Sequence, residues 1–104
     1  MKEIRLINEE EFNKIVYEEK NTVLVDFFAS WCGPCKMMTP ILEEVNKSLD
    51  DEIICKVDVD ENFELSKKFG VLSIPTLILF KNGEEIQKSI GLKNKDFILN
   101  MIKS

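Results

Sequence analysis

A mixed α/β sheet domain is predicted by three observations. The strand-like runs Val23-Leu24-Val25-Asp26-Phe27-Phe28-Ala29 and Ile53-Ile54-Cys55-Lys56-Val57-Asp58-Val59 bracket a segment whose apolar positions recur at helical spacing. A strand, helix, strand order implies a right-handed parallel crossover. Asn82-Gly83 between two further strand-like runs is a strong hairpin signal, which adds an antiparallel pair to the parallel one. After Gly91, the positions Phe97, Ile98, Met101 and Ile102 line one face of a final helix that can cover the sheet.

The elements follow in order. Ile4, Leu6 and Ile7 predict a short first strand, and Asn8 with Glu11 has the form of a capping box that starts a helix. Phe12, Ile15 and Val16 give that helix an apolar face, Glu9, Glu10, Glu18 and Glu19 a solvated one, and Asn21 marks the turn into the buried strand. The long helix buries Met38, Ile41, Leu42, Val45 and Leu49 and contains Pro40, which cannot bond the Lys36 carbonyl and should kink it. Asp50-Asp51 turns the chain into the next strand, where β-branched residues are enriched. Phe63, Leu65 and Phe69 fit a short helix closed by Gly70. Ser73-Ile74-Pro75 leads into the apolar run Thr76 to Phe80, and Glu85 to Ile90 returns antiparallel to it.

At 104 residues, with 44% hydrophobic and 32% charged residues, the chain reads as one soluble globular domain spanning residues 1–104. Its net charge of −5 disfavours nucleic acid and anionic membranes as partners. The start of the chain, Met1 to Asn8, lacks the apolar core of a signal peptide, and no apolar run reaches transmembrane length. A cytoplasmic location is expected. There thiols are kept reduced, so a Cys-x-x-Cys pair points to catalysis or metal binding before a structural staple.

That pair is Cys32 and Cys35, in Trp31-Cys32-Gly33-Pro34-Cys35-Lys36. On the first turn of a helix the two thiols share one face and lie close enough to form a disulfide. At a strand-to-helix junction the helix dipole and free backbone N–H groups favour a thiolate, lowering a thiol pKa from its ordinary value of about 8.5. Pro34 fits the first helical turn, where its missing N–H has no partner to lose. Half of a zinc site is the competing reading, but 3 Cys and 0 His are too few for any Cys/His tetrad. Lys36 can add positive potential near the thiolate.

Asp26 stands inside an otherwise apolar strand, on one face with Leu24 and Phe28. Burial should raise its pKa by disfavouring the carboxylate. The alternative is an aspartate that reaches a sheet end and hydrogen-bonds locally. Cys55 reads as a buried small hydrophobe, with a regulatory thiol as its alternative, and Met38 and Met101 read as core.

Along nearly its full length the chain resembles the thioredoxin family. The resemblance rests on Phe27-Phe28-Ala29-Ser30-Trp31-Cys32-Gly33-Pro34-Cys35-Lys36, on Pro40, on Val57-Asp58-Val59-Asp60, on Ser73-Ile74-Pro75-Thr76 and on Phe80-Lys81-Asn82-Gly83. It implies a thioredoxin fold, with a central five-stranded mixed sheet flanked by four helices. It also implies a protein disulfide reductase that acts in electron transport and cell redox homeostasis, with no bound cofactor beyond the redox-active Cys32–Cys35 disulfide. Disulfide-containing proteins would be its targets. A thioredoxin reductase would recharge the pair, the NADPH and FAD belonging to that partner.

The same resemblance assigns the site. Cys32 would be the exposed attacking thiolate and Cys35 the resolving thiol, with a mixed disulfide between them; helix position agrees, since Cys35 lies a turn deeper. Asp26 would lie behind Cys35 and accept its proton, with Lys56 on the neighbouring strand as charge partner. The Ile74–Pro75 bond would be cis and present its backbone to an extended target, whereas sequence alone allows a proline that simply begins a strand. Trp31, Val59, Ser73, Gly91 and Leu92 would complete an apolar, weakly charged groove, and Gly33, beside Pro34, would let a partner approach closely. Two positions depart from the family pattern: Phe28 replaces a common tryptophan and Ser73 a common glycine. Both bear on target preference rather than on the chemistry.

Three function classes are compatible with these residues. A reductase is favoured because Gly33-Pro34 supplies no histidine to stabilise the thiolate so strongly that the pair becomes an oxidant. A disulfide oxidase or isomerase of the same fold would need a higher potential and fits the absent export signal less well. A binding subunit or holdase could use the scaffold with incidental redox chemistry. A glutaredoxin-like reading fits less well, since Trp31 and Gly33-Pro34 match thioredoxin better and no glutathione-binding pattern is evident. A monomer is expected.

Overall fold

Five strands form one sheet in the order β1-β3-β2-β4-β5, with β1 at Arg5–Leu6, β2 at Val23–Phe28, β3 at Ile53–Asp58, β4 at Thr76–Lys81 and β5 at Glu84–Ile90. The computed structural model describes residues 2–104. β2 pairs parallel with β3 and antiparallel with β4, so the sheet is mixed, and the predicted crossover and hairpin are both present. Asn82 and Gly83 both take positive φ, 52° and 81°, the mirror-image turn that matches the twist of a two-residue hairpin.

The first helix, α1 (Glu9–Phe12), opens on the expected reciprocal cap: Asn8 Oδ1 accepts from Glu11 N–H and Glu11 Oε1 from Asn8 N–H. It does not continue as a regular helix. Residues Asn13–Glu18 follow as a π-helical segment, a widening that side-chain periodicity does not reveal. α2 (Gly33–Lys47) carries Pro40 on its exposed side, and α3 (Phe63–Lys68) is followed by Gly70 at φ 65°. α4 (Lys95–Lys103) is capped by Asn94, whose side chain accepts from Phe97 N–H.

Alternation along β2 divides the core. Val23, Val25 and Phe27 join Phe12, Val16, Leu65, Ile78 and Phe80 on one side of the sheet, where Phe12 sits among the rings of Tyr17, Phe69 and Phe80 at 5.3 to 5.7 Å. On the other side Leu24 packs with Met38, Leu42 and Val45 of α2 and Ile98, Met101 and Ile102 of α4. Two apolar assignments need correction. Phe63 is 65% exposed and Phe97 41%, each in the first turn of its helix at the edge of the face that the following residues bury.

Candidate active site

Cys32 is the N-cap of α2. Its backbone is extended, the turn from Ala29 being closed by a bond from Cys32 N–H to the Ala29 carbonyl at 3.2 Å. Cys32 and Cys35 are joined in a disulfide with Cα atoms 5.2 Å apart, and the Cys35 N–H points at Cys32 Sγ at 3.2 Å. A backbone donor at a helix N-terminus stabilises negative charge on that sulfur once the disulfide opens.

Cys32 is less exposed than the sequence reading expects. It is 5% accessible against 2% for Cys35, because Ala29, Phe28, Val59 and Ile74 pack around the pair. The asymmetry lies in position instead. Cys32 Sγ is 3.8 Å from the Ile74 carbonyl oxygen, at the cis Ile74–Pro75 bond, whereas Cys35 lies inside the helix.

Several of the residues expected to form a groove lie at this end of the sheet. Val59 N–H donates to the Phe28 carbonyl at 2.8 Å, and Gly91 N–H to the Pro75 carbonyl at 2.8 Å, tying the segments after β3 and β5 to the two sides of the pair. Trp31 is 69% exposed, and Gly33, Pro34, Ser73 and Leu92 are exposed as well, while Ile74 and Val59 are half-buried and Pro75 buried. A side chain built at Gly33 meets nothing within 4 Å in this chain. Gly91, at φ 95°, is the glycine the backbone requires.

Asp60 Oδ2 accepts from Trp31 Nε1 at 2.8 Å and so ties the indole to the segment after β3. Sequence reasoning includes Asp60 in a motif but gives it no role, since the partners are 29 residues apart. Leu72, next to Ser73 in the chain, is 97% exposed.

Asp26 is fully buried, and neither carboxylate oxygen has a hydrogen-bond partner. The alternative of a locally bonded aspartate at a sheet end therefore does not hold. Burial pushes its pKa up from 3.8 to about 7, the positive charge of Lys56 pulling the other way. Lys56 is the in-register neighbour of Asp26 on β3, but the two do not form a direct ion pair within 4 Å. The Lys56 ammonium is occupied elsewhere: it donates to Thr39 Oγ1 at 3.1 Å and lies 4.5 Å from the centre of the Phe28 ring. Its influence on Asp26 is that of a nearby charge, not of a contact.

Cys55 lies on the opposite face of the sheet, buried and free, and burial pushes its thiol up to about 12. Among the described residues, no group of three or more His, Cys, Asp or Glu side chains is placed to hold a metal, and no helix is long and apolar enough to cross a membrane.

A disulfide at a helix N-terminus, facing a cis X–Pro bond across the end of a mixed sheet, defines a thiol–disulfide oxidoreductase. Comparison with known proteins gives the family. The family model described as Thioredoxin matches residues 3–104, and the chain belongs to the thioredoxin family. It is 46% identical over 99 residues to thioredoxin of Chlamydia pneumoniae, covering 95% of both chains, and 45% identical over 97 residues to thioredoxin of Rickettsia felis, covering 92% of both. Among solved structures it is similar to Plasmodium falciparum thioredoxin, with TM-score 0.88 at 36% identity over 96% of this chain and 97% of that one. The N21Q mutant thioredoxin from Halobacterium salinarum NRC-1 superposes with TM-score 0.87 at 35% identity, over 96% of this chain and 87% of that one. The expected fold and the redox-active pair are both borne out.

Proposed function

We propose that the pair works in the reducing direction, as a general protein disulfide reductase of the cytoplasm recharged by an NADPH-dependent thioredoxin reductase. The observation that carries this reading is the Cys32–Cys35 disulfide at the start of α2, with the Cys35 N–H on Cys32 Sγ and no histidine or other cation between the cysteines. One backbone donor and a helix terminus activate Cys32 without making the reduced pair so stable that it becomes an oxidant.

In the reaction, the Cys32 thiolate attacks a target disulfide and forms a mixed disulfide, releasing the first target sulfur as a thiolate. Cys35 then attacks Cys32 Sγ, which frees the second target thiolate and closes the Cys32–Cys35 bond. Two electrons pass to the target. Cys35 must lose a proton for its attack, and Asp26, held near neutrality by burial, is suited to take it at physiological pH. The groove of Trp31, Val59, Ser73, Ile74, Pro75, Gly91 and Leu92 receives the target chain, and the positions of Gly33 and Pro34 leave its approach to Cys32 open.

The test is a coupled assay with thioredoxin reductase, NADPH and insulin disulfides as the target. NADPH oxidation that depends on both this protein and insulin supports the reading. Equal oxidation without this protein removes it. Asp26→Asn should slow resolution of the mixed disulfide by about 10- to 100-fold while slowing its formation less; equal slowing of both steps would exclude the proton-acceptor role.

A further inference from the structure

Lys56 is gripped by two residues that the exchange reaction does not itself use. Thr39 Oγ1 accepts from its ammonium, and the hydroxyl proton of Thr39 points in turn to the Cys35 carbonyl at 3.4 Å, one helical turn earlier. The Phe28 ring supplies the other hold. The open side of Lys56 gives onto a cavity of about 800 Å³ between α2 and the β1–β3 edge, whose wall includes Glu3, Glu11 and Glu43. Glu11 is engaged by Arg5 at 2.8 Å, and Glu43 stands one turn beyond Thr39 on α2.

An ammonium on a flexible stem is strongly hydrated and moves toward water wherever the stem allows. The cavity side of Lys56 opens toward solvent, and the same wall carries the carboxylates of Glu3 and Glu43. Among the described residues, the Thr39 hydroxyl accepts a hydrogen bond from the Lys56 ammonium and the Phe28 ring lies against it, and both hold it on the β2 side of the cavity.

We propose that Thr39 is a positioning residue, its hydroxyl tethering the Lys56 ammonium over the inner face of β2 and thereby setting how strongly that charge favours the Asp26 carboxylate. The other neighbours of Asp26 cannot substitute. β4 places uncharged Leu77 in register with it, α2 carries the disulfide, which does not titrate, and exposed Lys36, and the Cys55 thiol on the far face is kept neutral by burial. On the neighbouring strand Lys56 is in register with Asp26, and Asp58, two positions on and in register with Phe28, is acidic and cannot replace the Lys56 charge. The inference deepens the reading of Asp26 given above.

The experiment is a ¹³C NMR titration of the Asp26 carboxyl in the oxidised protein. Thr39→Val keeps the side-chain shape and removes the hydroxyl, and Thr39→Ala is a second hydroxyl-free variant. The titration midpoint should rise by about 0.5 pH units in both, the direction expected when a favourable charge withdraws. Thr39→Ser should restore it, and Thr39→Val should have no effect once Lys56→Met has removed the ammonium. An unchanged or lowered midpoint in the folded hydroxyl-free variants overturns the proposal. So does a rise that persists without Lys56, or a Thr39→Ser midpoint matching that of Thr39→Val. The carboxyl is read directly with the cysteines bonded to each other, so this outcome is separate from whether Asp26 accepts a proton from Cys35, which only the kinetics of resolution decide.

Discussion

The two faces of strand β2 both bury side chains, with Phe28 at the strand end only partly covered, and do opposite things with them. Toward α1 and α3, Val23, Val25 and Phe27 meet an apolar cluster rich in aromatic rings, and the cysteine there, Cys55, is a small hydrophobe whose thiol is pushed up to about 12. Toward α2, Leu24 gives way to Asp26, a carboxylic acid without a hydrogen bond, and then to the disulfide packed against Phe28. Burial alone makes a cysteine inert. What makes one reactive is burial at the edge of a helix N-terminus, where a backbone N–H can meet the sulfur. The first face contributes stability, while the second gives some up to hold chemistry in place.

Substitutions on the two faces should separate these roles. Cys32→Ser should abolish target reduction, by at least about 1,000-fold in kcat/KM, since the attacking sulfur is lost. Residual activity within tenfold of the parent would mean that Cys32 is not the nucleophile.

Next in size are two stability effects of opposite sign. Phe12→Ala should cost about 3 to 5 kcal/mol in urea unfolding, because a fully buried ring with three aromatic neighbours leaves a cavity. Asp26→Asn should instead stabilise the protein above neutral pH. The folded pKa of Asp26, about 7, exceeds the ordinary 3.8, so between those values the folded state keeps a proton that the unfolded chain has released. Stability from this group is full below about pH 4, falls as pH rises toward 7, and is level above, a loss on the order of 4 kcal/mol. Urea unfolding at pH 5 and pH 8 reads the difference. An Asp26→Asn variant that keeps the parent's slope between those pH values would contradict this account of Asp26.

The smallest effect is expected at Cys55. Cys55→Ala should leave target reduction unchanged and cost about 1 kcal/mol or less, as removal of one small buried group does. A marked fall in exchange rate would reinstate the regulatory thiol.

Much of this division is written in local patterns. The reciprocal cap of Asn8 and Glu11, the Asn82-Gly83 turn and the alternation along β2 each involve neighbours in sequence, so their spacing carries the structure. Asp26 is conspicuous for the same reason, as a charge in an apolar run. The links that shape the site are of another kind. Trp31 to Asp60, Lys56 to Thr39 and the approach of Ile74 to Cys32 join residues far apart in the chain, and no local spacing encodes them. The family resemblance supplied the cis bond beside the cysteines, but not the Thr39 hydroxyl that accepts from the Lys56 ammonium. Side-chain periodicity also misses the π-helical segment after Phe12, because the residues Ile15 and Val16 are buried in either helix form.

The most direct test of the central claim is an equilibrium redox titration of the protein, followed by Trp31 fluorescence and checked by thiol alkylation. The account predicts a single two-electron transition of the Cys32–Cys35 pair at a potential more reducing than that of the cytosolic glutathione pool, roughly −240 mV, with Cys55 a free thiol throughout. A transition well above that potential would make the pair an oxidant. Failure of the two cysteines to titrate together would leave the fold a scaffold without the chemistry assigned to it.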